Sequence, residues 1–472
     1  MKTLKNMNSK TSLGRRDFLR LSGIVGASVF AFPSIVPSRV FGADAPSKKI
    51  QIGQIGCERI ANEMDMPGIL KHDIAQVVAV CDVDSRRLRL AKERVEKFYS
   101  TKNASAMATD VKTYDDFREL LKDPGIDAVA ISTPDHWHAE PVIAAALAGK
   151  DIYVQKPLAM TLAEGRVVSD IVRSRNRIFQ IGSQQRADRP WPQFRRGVEL
   201  VRNGKIGRLH TVKIGLPTDP AGEDEPEMPV PANLNYDRWL GCTPAVPYTE
   251  KRVHPQNSLS DRPGWLRIES YCLGLITGWG SHHLDIAHWG MNTELTGPIQ
   301  AEGQAEFPKR GLWNVHGAYH VEMRYANGVT MVIDNHFANG VRFEGGEGWI
   351  FVGRGGGKPD PAKPEESLGF AASNPEFLKA EIPSGGIHLH QSNDHHLDWL
   401  KSIQSRTPAA TNVEQAHRST SACEIAWIAM KLGRKTTWDP QKEIFPDDAE
   451  ANAMRARQQR KPYGIEVLLK KA

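Results

Sequence analysis

After about residue 45, short apolar runs alternate with longer segments of helical periodicity. Apolar runs at 50–55, 75–81 and 128–132 end at Gly, Asp and Thr-Pro respectively, and a fourth run ends at Val154. The helical periodicity falls between them, at residues 86–98, 114–121 and 141–148. Short strands separated by helices are typical of a parallel sheet covered on both faces. We therefore predict a doubly wound α/β domain over residues 46–177, with ligands at the carboxyl edge of its sheet.

The pattern changes after about residue 178. Longer strand-like runs occupy 209–216, 319–325 and 330–336, and an Asn-Gly turn at 327–328 separates the last two. Helical spacing returns over 396–432, whereas 217–231 and 353–384 have the polar, Pro- and Gly-rich composition of surface loops. We predict an α+β domain with a large open-faced sheet over 178–438 and a polar, surface-wrapping tail over 439–472.

Composition is that of a soluble globular protein, with 40% hydrophobic and 25% charged residues in 472. This balance argues against a disordered chain and against a multi-span membrane protein. The net charge of +6 comes from residues 1–43, where seven Lys and Arg accompany one acidic residue, Asp17. The rest of the chain is neutral overall, so charge gives no argument for binding nucleic acid.

The basic segment resembles an export signal. Residues 12–20 (Ser-Leu-Gly-Arg-Arg-Asp-Phe-Leu-Arg) resemble a twin-arginine motif, and a short apolar run at 21–36, broken by Pro33, precedes small residues at 42–45. We expect a signal peptide over 1–45, export of the folded protein to the periplasm, and no stable membrane span after cleavage. The five cysteines are scattered and odd in number, which favours free thiols over a disulfide framework.

The loop after the first strand has the context of a dinucleotide-binding fingerprint. A tight turn opens a helix, and an acidic residue ends the second strand. The candidate cofactor-binding residues here are Gly53, Gly56, Arg59, Ile60 and Asp82.

Glu58 stands where the fingerprint's middle Gly is expected, and a carboxylate there would repel a pyrophosphate. Three interpretations stay open: Glu58 points outward with Arg59 compensating its charge, the cofactor sits differently, or binding has been lost. Arg86 and Arg87 could meet a 2′-phosphate or could begin a solvated helix, so both NAD and NADP are kept.

Three motifs, in order along the chain, resemble the signatures of the Gfo/Idh/MocA oxidoreductases, the relatives of glucose-fructose oxidoreductase and inositol dehydrogenase. They are Thr-Pro-Asp-His-Trp-His at 133–138, Val-Gln-Lys-Pro-Leu at 154–158 and Gly-Trp-Gly-Ser-His-His-Leu-Asp at 278–285. The resemblance extends from about Lys48 to about Trp438. It implies a Rossmann domain followed by an open-faced sheet domain, with NAD or NADP and a polyol or sugar meeting in the cleft between them.

The same resemblance implies roles for individual residues. Lys156 and His282 correspond to the catalytic pair, and Asp285 to an acidic residue at the substrate. Residues placed near the cofactor are Thr133, Pro134, His138 and Gln155.

Two positions depart from the family pattern. Gln155 replaces the usual Glu, and Gly278 stands where many members carry a catalytic Asp. The proton relay therefore reduces to Lys156 and His282. A desolvated Lys156 can still accept the proton of a hydroxyl group while the nicotinamide takes the hydride.

Other polar and aromatic residues are weaker candidates. We expect Gln185, Arg186, Trp265 and Tyr271 to contact substrate. His388, His390, His395 and His396 lie around Asp394, but family analogy gives no metal and Asp394 serves equally well as a helix cap, so no metal site is assigned.

The sequence thus predicts an exported NAD(P)-dependent oxidoreductase acting on a hydroxyl or keto group of a sugar, glycoside or cyclitol. Two alternatives remain: an NAD-dependent glycosidase that acts by transient oxidation and elimination, and a non-catalytic carbohydrate-binding relative. The expected partner is a small carbohydrate, and self-association is left open.

Overall fold

A computed structural model describes residues 49–102, 110–356 and 358–470. The signal segment predicted over 1–45 lies outside the described residues. Within those ranges, no helix combines the length and the apolar character that crossing a bilayer requires.

The first domain is built on a six-stranded sheet in which every pairing is parallel, in the order β3-β2-β1-β4-β5-β6. Its strands are β1 (Ile50–Ile55), β2 (Ala75–Cys81), β3 (Lys112–Tyr114), β4 (Ala128–Ile131), β5 (Asp151–Val154) and β6 (Phe179–Ile181). The order reverses beside β1, which creates the crevice where such sheets bind ligands. The doubly wound fold predicted from the sequence is confirmed. β6 lies beyond residue 177, so the sheet continues past the domain end expected there.

Helices cover both faces of this sheet. They are α1 (Met66–Leu70), which continues a π-helical turn at Ala61–Asp65, α2 (Ser85–Lys102), α3 (Phe117–Lys122), α4 (Ala139–Leu147) and α5 (Leu162–Ser174). Local chemistry sets where they begin: Asp116 caps α3 by accepting the Arg118 N–H, and Thr161 caps α5 by accepting the Glu164 N–H. The strands β1, β4 and β5 are almost entirely buried, as expected for a sheet with both faces covered.

The second domain contains an eight-stranded mixed sheet in the order β13-β12-β11-β7-β10-β9-β8-β14. The strands are β7 (Leu209–Gly215), β8 (Gln300–Ala305), β9 (Tyr319–Arg324), β10 (Thr330–Asp334), β11 (Gly340–Gly345), β12 (Gly348–Val352), β13 (Phe370–Ala372) and β14 (Thr436–Thr437). Buried and exposed residues alternate along β9, so one face packs on helices and the other is open. The predicted turn between β9 and β10 is present, with Gly328 at φ +87°.

The remaining helices pack on the inner face of this sheet, connect the domains or lie in the tail. They are α6 (Gln193–Arg202), α7 (Tyr236–Leu240), α8 (Leu275–Gly278), α9 (Gly280–Met291), α10 (Pro364–Leu368), α11 (Glu376–Lys379), α12 (His395–Ser405), α13 (Val413–Leu432), α14 (Ala449–Ala453) and α15 (Ile465–Leu469). Trp399 and Leu400 of α12 belong to the core of the first domain. The segment 353–384, expected to be surface loop, includes the edge strand β13.

The chain from 250 to 268, which we call the strap, joins the second domain to the dinucleotide loop. Arg87 of α2 donates to the carbonyls of Pro255 (2.8 Å) and Ser258 (3.2 Å). His254 Nε2 lies 3.0 Å from Asp84 Oδ2. These contacts hold the strap against the carboxyl edge of the parallel sheet.

Candidate active site

The dinucleotide loop follows β1 and passes very close to the end of β4. Gly56 has φ +83°, and a Cβ there would lie 2.7 Å from the backbone of Ser132, so only glycine fits. The Cys57 N–H donates to Asp82 Oδ2 at 2.7 Å, which fixes the loop to the end of β2. Burial raises the pKa of Asp82. Gly53 does not reach the cleft, because it lies within β1 against Leu120.

Glu58 does not point outward, so that interpretation of the sequence is wrong. Its Oε2 accepts from Trp265 Nε1 at 3.2 Å, and its Oε1 lies 3.5 Å from His254 Nδ1. Arg59 pairs with Glu63 at 3.0 Å instead of compensating Glu58. The carboxylate is held at the strap by the N–H group that Trp265 donates, whereas its Oε1 has no hydrogen-bond partner among the described residues.

An open cavity runs along this edge of the sheet. It is lined by the dinucleotide loop, the ends of β2 and β4, and residues from α7 and the strap, among them Gly56, Asp82, Thr133, Pro134, Arg238 and His254. The Thr133 hydroxyl is buried and has no hydrogen-bond partner among the described residues. A second cavity adjoins Glu58 and Thr133 and contains Arg59, Ile60, His138, Gln155, Lys156 and Trp265. The predicted cofactor residues other than Gly53 therefore line two adjoining cavities.

Lys156 follows β5 and lies at the inner end of this cleft. Burial lowers its pKa, and the nearby carboxylate of Asp135 opposes that effect. Within the described part of the chain, no hydrogen bond or ion pair within 4.0 Å involves the Lys156 ammonium group. Burial raises the pKa of Asp135, and its Oδ2 has no hydrogen-bond partner in the same ranges. A lysine placed in this way is suited to exchange a proton.

His138 has a role different from the one expected. Its Nδ1 lies against the carbonyl of Pro157 and its Nε2 lies 3.0 Å from the carbonyl of Thr133. The ring therefore joins the Thr-Pro loop to the Lys-Pro loop and does not present a free nitrogen to the cofactor. Burial lowers its pKa.

Gln155 is held by a carboxyl group from a different element. Its Nε2 donates to Asp65 Oδ1 and Oδ2 at 2.9 and 3.0 Å. Asp65 is fully buried at the end of the π-helical turn and also accepts from Ser132 Oγ at 2.7 Å. The negative charge that Gln155 lacks is thus present beside it, at Asp65.

His282 lies on α9, on the other side of Lys156. Burial, followed by the charges of Arg354 and Lys156, lowers its pKa well below the usual range. Its Nδ1 is buried without a hydrogen-bond partner among the described residues. The neutral imidazole is therefore available as an acceptor. The charge of Lys156 is among those that lower the pKa of His282, which supports the expected convergence of the two groups.

Arg354 was not found from the sequence. Its guanidinium lies between the rings of Trp191 and Trp279, 4.2 and 4.4 Å from their centroids. The Gln185 amide bridges this group to α9, accepting from Arg354 Nε (3.3 Å) and donating to the His282 carbonyl (3.1 Å). Burial lowers the pKa of Arg354 to about 10. The predicted site residue Gln185 therefore positions two site groups.

Three residues expected to bind substrate serve the structure instead. Arg186 makes a buried two-pronged ion pair with Asp285 at 2.8 Å and a further one with Glu294, so neither Arg186 nor Asp285 is free to meet a ligand. Tyr271 is 1% exposed and packs between His136 and Trp239. Strong mutual pairing and aromatic packing explain these outcomes, which the residue types alone did not reveal. Trp265 does line the cleft.

The histidine-rich segment does not gather around an ion. Asp394 caps α12 by accepting the Leu397 N–H at 2.9 Å, and His395 Nε2 lies 3.0 Å from the Ile181 carbonyl. Across residues 49–102, 110–356 and 358–470, no group of three or more His, Cys, Asp or Glu is arranged to hold a metal.

Two family models match the chain. One, described as the oxidoreductase family NAD-binding Rossmann fold, matches residues 50–183. The other, described as the oxidoreductase family C-terminal alpha/beta domain, matches residues 221–465.

Individual proteins of known sequence or structure resemble the chain more distantly. It is 27% identical to the uncharacterized oxidoreductase YrbE of Bacillus subtilis over 293 residues, 61% of this chain and 67% of that protein. It is 33% identical to myo-inositol 2-dehydrogenase of Thermotoga maritima over 192 residues, 41% of this chain and 49% of that protein. The matched sequence thus spans about two thirds and about half of these relatives. The solved structure of the WlbA dehydrogenase from Bordetella pertussis, in complex with NADH and UDP-GlcNAcA, covers 83% of this chain and 99% of its own, with TM-score 0.55 and 15% identity. At that identity the likeness concerns the fold.

Proposed function

Because this chain belongs to the Gfo/Idh/MocA oxidoreductase family, we propose that it is an exported NAD(P)-dependent enzyme that oxidises or reduces a sugar, glycoside or cyclitol at a hydroxyl or keto carbon. The observation that carries the proposal is the position of Lys156. Its side chain is partly buried and lines the inner cavity together with Asp135, and desolvation lowers its pKa, while its charge reaches His282. The inositol dehydrogenase relative supports a polyol or sugar as the substrate.

The residues of the cleft fit a dinucleotide. A Cβ at Gly56 would fill the place where the loop meets Ser132, so the loop can lie flat under a phosphate group. The Thr133 hydroxyl is buried without a partner in the described ranges and faces the same cleft. Gly56 and Ile60 would lie under the pyrophosphate, Asp82 at the adenosine ribose, and Thr133 and Pro134 at the nicotinamide end. Arg87 donates to two strap carbonyls through Nη2, but its Nη1 is buried without a partner in the described ranges and the side chain lines the same cavity, so both NAD and NADP are kept.

The bound nicotinamide supplies the hydride acceptor or donor for the reacting carbon. Lys156 in its neutral form accepts the hydroxyl proton when the substrate is oxidised, and burial makes this form accessible by lowering its pKa. The Asp135 carboxylate stabilises the ammonium group that results. His282, neutral at ordinary pH, can donate its one ring N–H to the oxygen of the same hydroxyl group and so orient it while Lys156 takes the proton.

Cofactor binding and turnover test this function. Addition of NAD(H) or NADP(H) is expected to raise the thermal stability of the purified protein, because a ligand that binds only the folded state stabilises it. Lys156→Met is expected to lower kcat by about 10²- to 10⁴-fold while leaving the cofactor Kd within about threefold. No stabilisation by either cofactor, or full activity in Lys156→Met, would contradict the proposal. Release of an aglycone without net accumulation of NADH would instead identify the glycosidase alternative.

Export forms a separate part of the proposal. It rests on the paired arginines at 15 and 16 and the apolar run that follows them. Replacement of both arginines by lysine is expected to keep the protein in the cytoplasm, as measured by cell fractionation. Unchanged periplasmic recovery of this variant would contradict the twin-arginine route.

A further inference from the structure

Arg354 is a charged group at the reaction centre that the proposed chemistry does not use. It lies close enough to Lys156 and His282 for its charge to affect the proton affinity of both. No carboxylate of the described residues lies within 4.0 Å of its guanidinium. Arginine at such a position is normally neutralised, because an uncompensated cation is costly to desolvate.

Two other arginines of the same domain are neutralised in this way. Arg186 is buried between Asp285 and Glu294, at 2.8 Å from each. Arg342 also stacks on an indole, with Trp349 at 4.1 Å, but it pairs with Glu344 at 3.0 Å. Stacking of a guanidinium on an indole ring therefore does not take the place of a counter-ion in Arg342. The absence of a carboxylate beside Arg354 needs another explanation.

The surroundings of Arg354 leave one direction open for a ligand. Trp191 and Trp279 cover the two faces of the guanidinium, and the Gln185 amide occupies Nε. Only the edge that carries the two terminal amino groups remains. Donors that lie in one plane along this edge match the two oxygens of a carboxylate.

There is also space near this group. Gly278 precedes Trp279, and a Cβ at Gly278 would have no heavy atom within 4 Å. Gln155, next to Lys156, is uncharged. Neither Gly278, next to Trp279, nor Gln155, next to Lys156, therefore adds a negative charge of its own to this side of the cleft.

We propose that Arg354 binds a carboxylate group of the substrate, and that the enzyme consequently acts on sugar acids, such as uronic acids and their glycosides, in preference to neutral sugars. The inference rests on the proposed function, since it names the substrate class of the same site. The indole rings hold the guanidinium rigid, so little conformational freedom is lost when the anion binds.

Matched pairs of methyl glycosides test this inference. The probes are the methyl glycosides of D-glucuronic, D-galacturonic and D-mannuronic acid, their neutral hexose counterparts, and methyl glucoside 6-phosphate as an alternative anion. Binding is measured by calorimetry on the wild-type protein in the presence of saturating NADH, at low and at moderate ionic strength. Because charge-assisted hydrogen bonds contribute about 1.5–3 kcal/mol, at least one uronide is expected to bind about 10- to 100-fold more tightly than its neutral partner.

The variants separate a specific contact from general charge. Arg354→Gln is expected to abolish the preference for the uronide, whereas Arg354→Lys keeps a part of it, because an ammonium group lacks the planar pair of donors. Arg342→Gln is the matched control, since Arg342 is also stacked on an indole, and it should leave the preference unchanged. The inference is overturned if no uronide is preferred, if the preference survives in Arg354→Gln, or if the 6-phosphate is the favoured anion.

NADH binding, measured in the same samples, distinguishes this inference from the proposed function. If NADH binds and neutral sugars react without any uronide preference, the carboxylate inference fails alone. If NADH does not bind but the uronide preference exists and depends on Arg354, the redox function fails and the carboxylate site stands.

Discussion

Asp65 is the buried group on which the position of Gln155, and through it Lys156, depends most directly. Its Oδ1 accepts from Gln155 Nε2 at 2.9 Å and lies 3.1 Å from His396 Nε2. Its Oδ2 accepts from Ser132 Oγ at 2.7 Å. The side chain is 0% exposed. One carboxyl group thus connects the ends of β4 and β5 with α12.

Asp65→Ala removes the acceptor from all three donors at once. Each buried donor left without a partner costs about 1–3 kcal/mol, so three of them are expected to lower the free energy of unfolding by at least about 3 kcal/mol. Asp65→Asn is milder. Its carbonyl oxygen can still accept from Gln155 and His396, while its amide donates to Ser132 Oγ, so we expect a loss of about 1–2 kcal/mol.

Urea unfolding followed by tryptophan fluorescence measures these losses, and steady-state kinetics on the folded variants measures the effect on the site. Both variants are expected to lower kcat more than they change the cofactor Kd. The reason is that Gln155 precedes Lys156 in the chain, so a shift of Gln155 also displaces Lys156. Asp170→Ala is the matched control, since Asp170 is 59% exposed and pairs with Arg166 at 3.2 Å, and exposed pairs contribute about 0–1 kcal/mol. If Asp65→Ala were as stable as this control and as active as the wild type, the reasoning about Asp65 would be refuted.

Three further changes have expected outcomes. Asp135→Asn removes the charge that raises the pKa of Lys156. The neutral amine then persists to lower pH, so the acidic limb of the pH profile of kcat/KM should move to lower pH. A shift of this limb to higher pH would contradict the prediction. Asp285→Ala leaves the buried Arg186 with Glu294 as its nearest counter-ion and removes two hydrogen bonds, so the free energy of unfolding should fall by about 1–3 kcal/mol in urea titrations. A stable variant with a raised substrate KM would restore the substrate role first expected for Asp285. Glu58→Gln keeps an acceptor for the Trp265 N–H but removes a negative charge from the cleft. Calorimetry should therefore find NAD bound about tenfold more tightly, equivalent to about 1.4 kcal/mol. Unchanged or weaker binding of NAD would contradict a repulsive effect of Glu58.

Much of the fold could be predicted from the sequence because its signals are local. The apolar runs that became β1, β2 and β4, and the Asn-Gly turn after β9, are short patterns whose geometry depends on neighbouring residues. Which helix packs against which sheet, by contrast, does not depend on neighbouring residues in the sequence. The helical period of α12 identified an apolar face but could not indicate that Trp399 packs in the first domain. The edge strand β13 (Phe-Ala-Ala) has only three residues, too few to show a strand period, and its place is set by backbone pairing with β12 at the rim of the sheet.

The residues of the candidate site also fall into two groups, those with a local sequence signal and those without one. The motifs identified Lys156, in the short loop that follows β5, and His282, in the first turn of α9. Arg354 and Asp65 have no signal in the residues around them, because their importance comes from what lies beside them in space. Asp135 stood inside a quoted motif, but only its burial beside Lys156 reveals its effect. Arg186 and Asp285 were overestimated because the sequence does not show that the two side chains satisfy each other.

Glu58 has one interpretation in the sequence and a different one in the structure. From the sequence it is a misplaced carboxylate that should weaken dinucleotide binding. In the structure it receives the Trp265 indole N–H and lies beside His254, which also contacts Asp84. A glycine at this position would offer the strap nothing to hold. Glu58 therefore weakens the electrostatic attraction for a pyrophosphate but supplies the hydrogen bond that holds the strap against the dinucleotide loop, and we expect this contact to slow cofactor release. Under the export proposed above, the enzyme would carry its cofactor out of the cytoplasm, and slow release is then the property that matters.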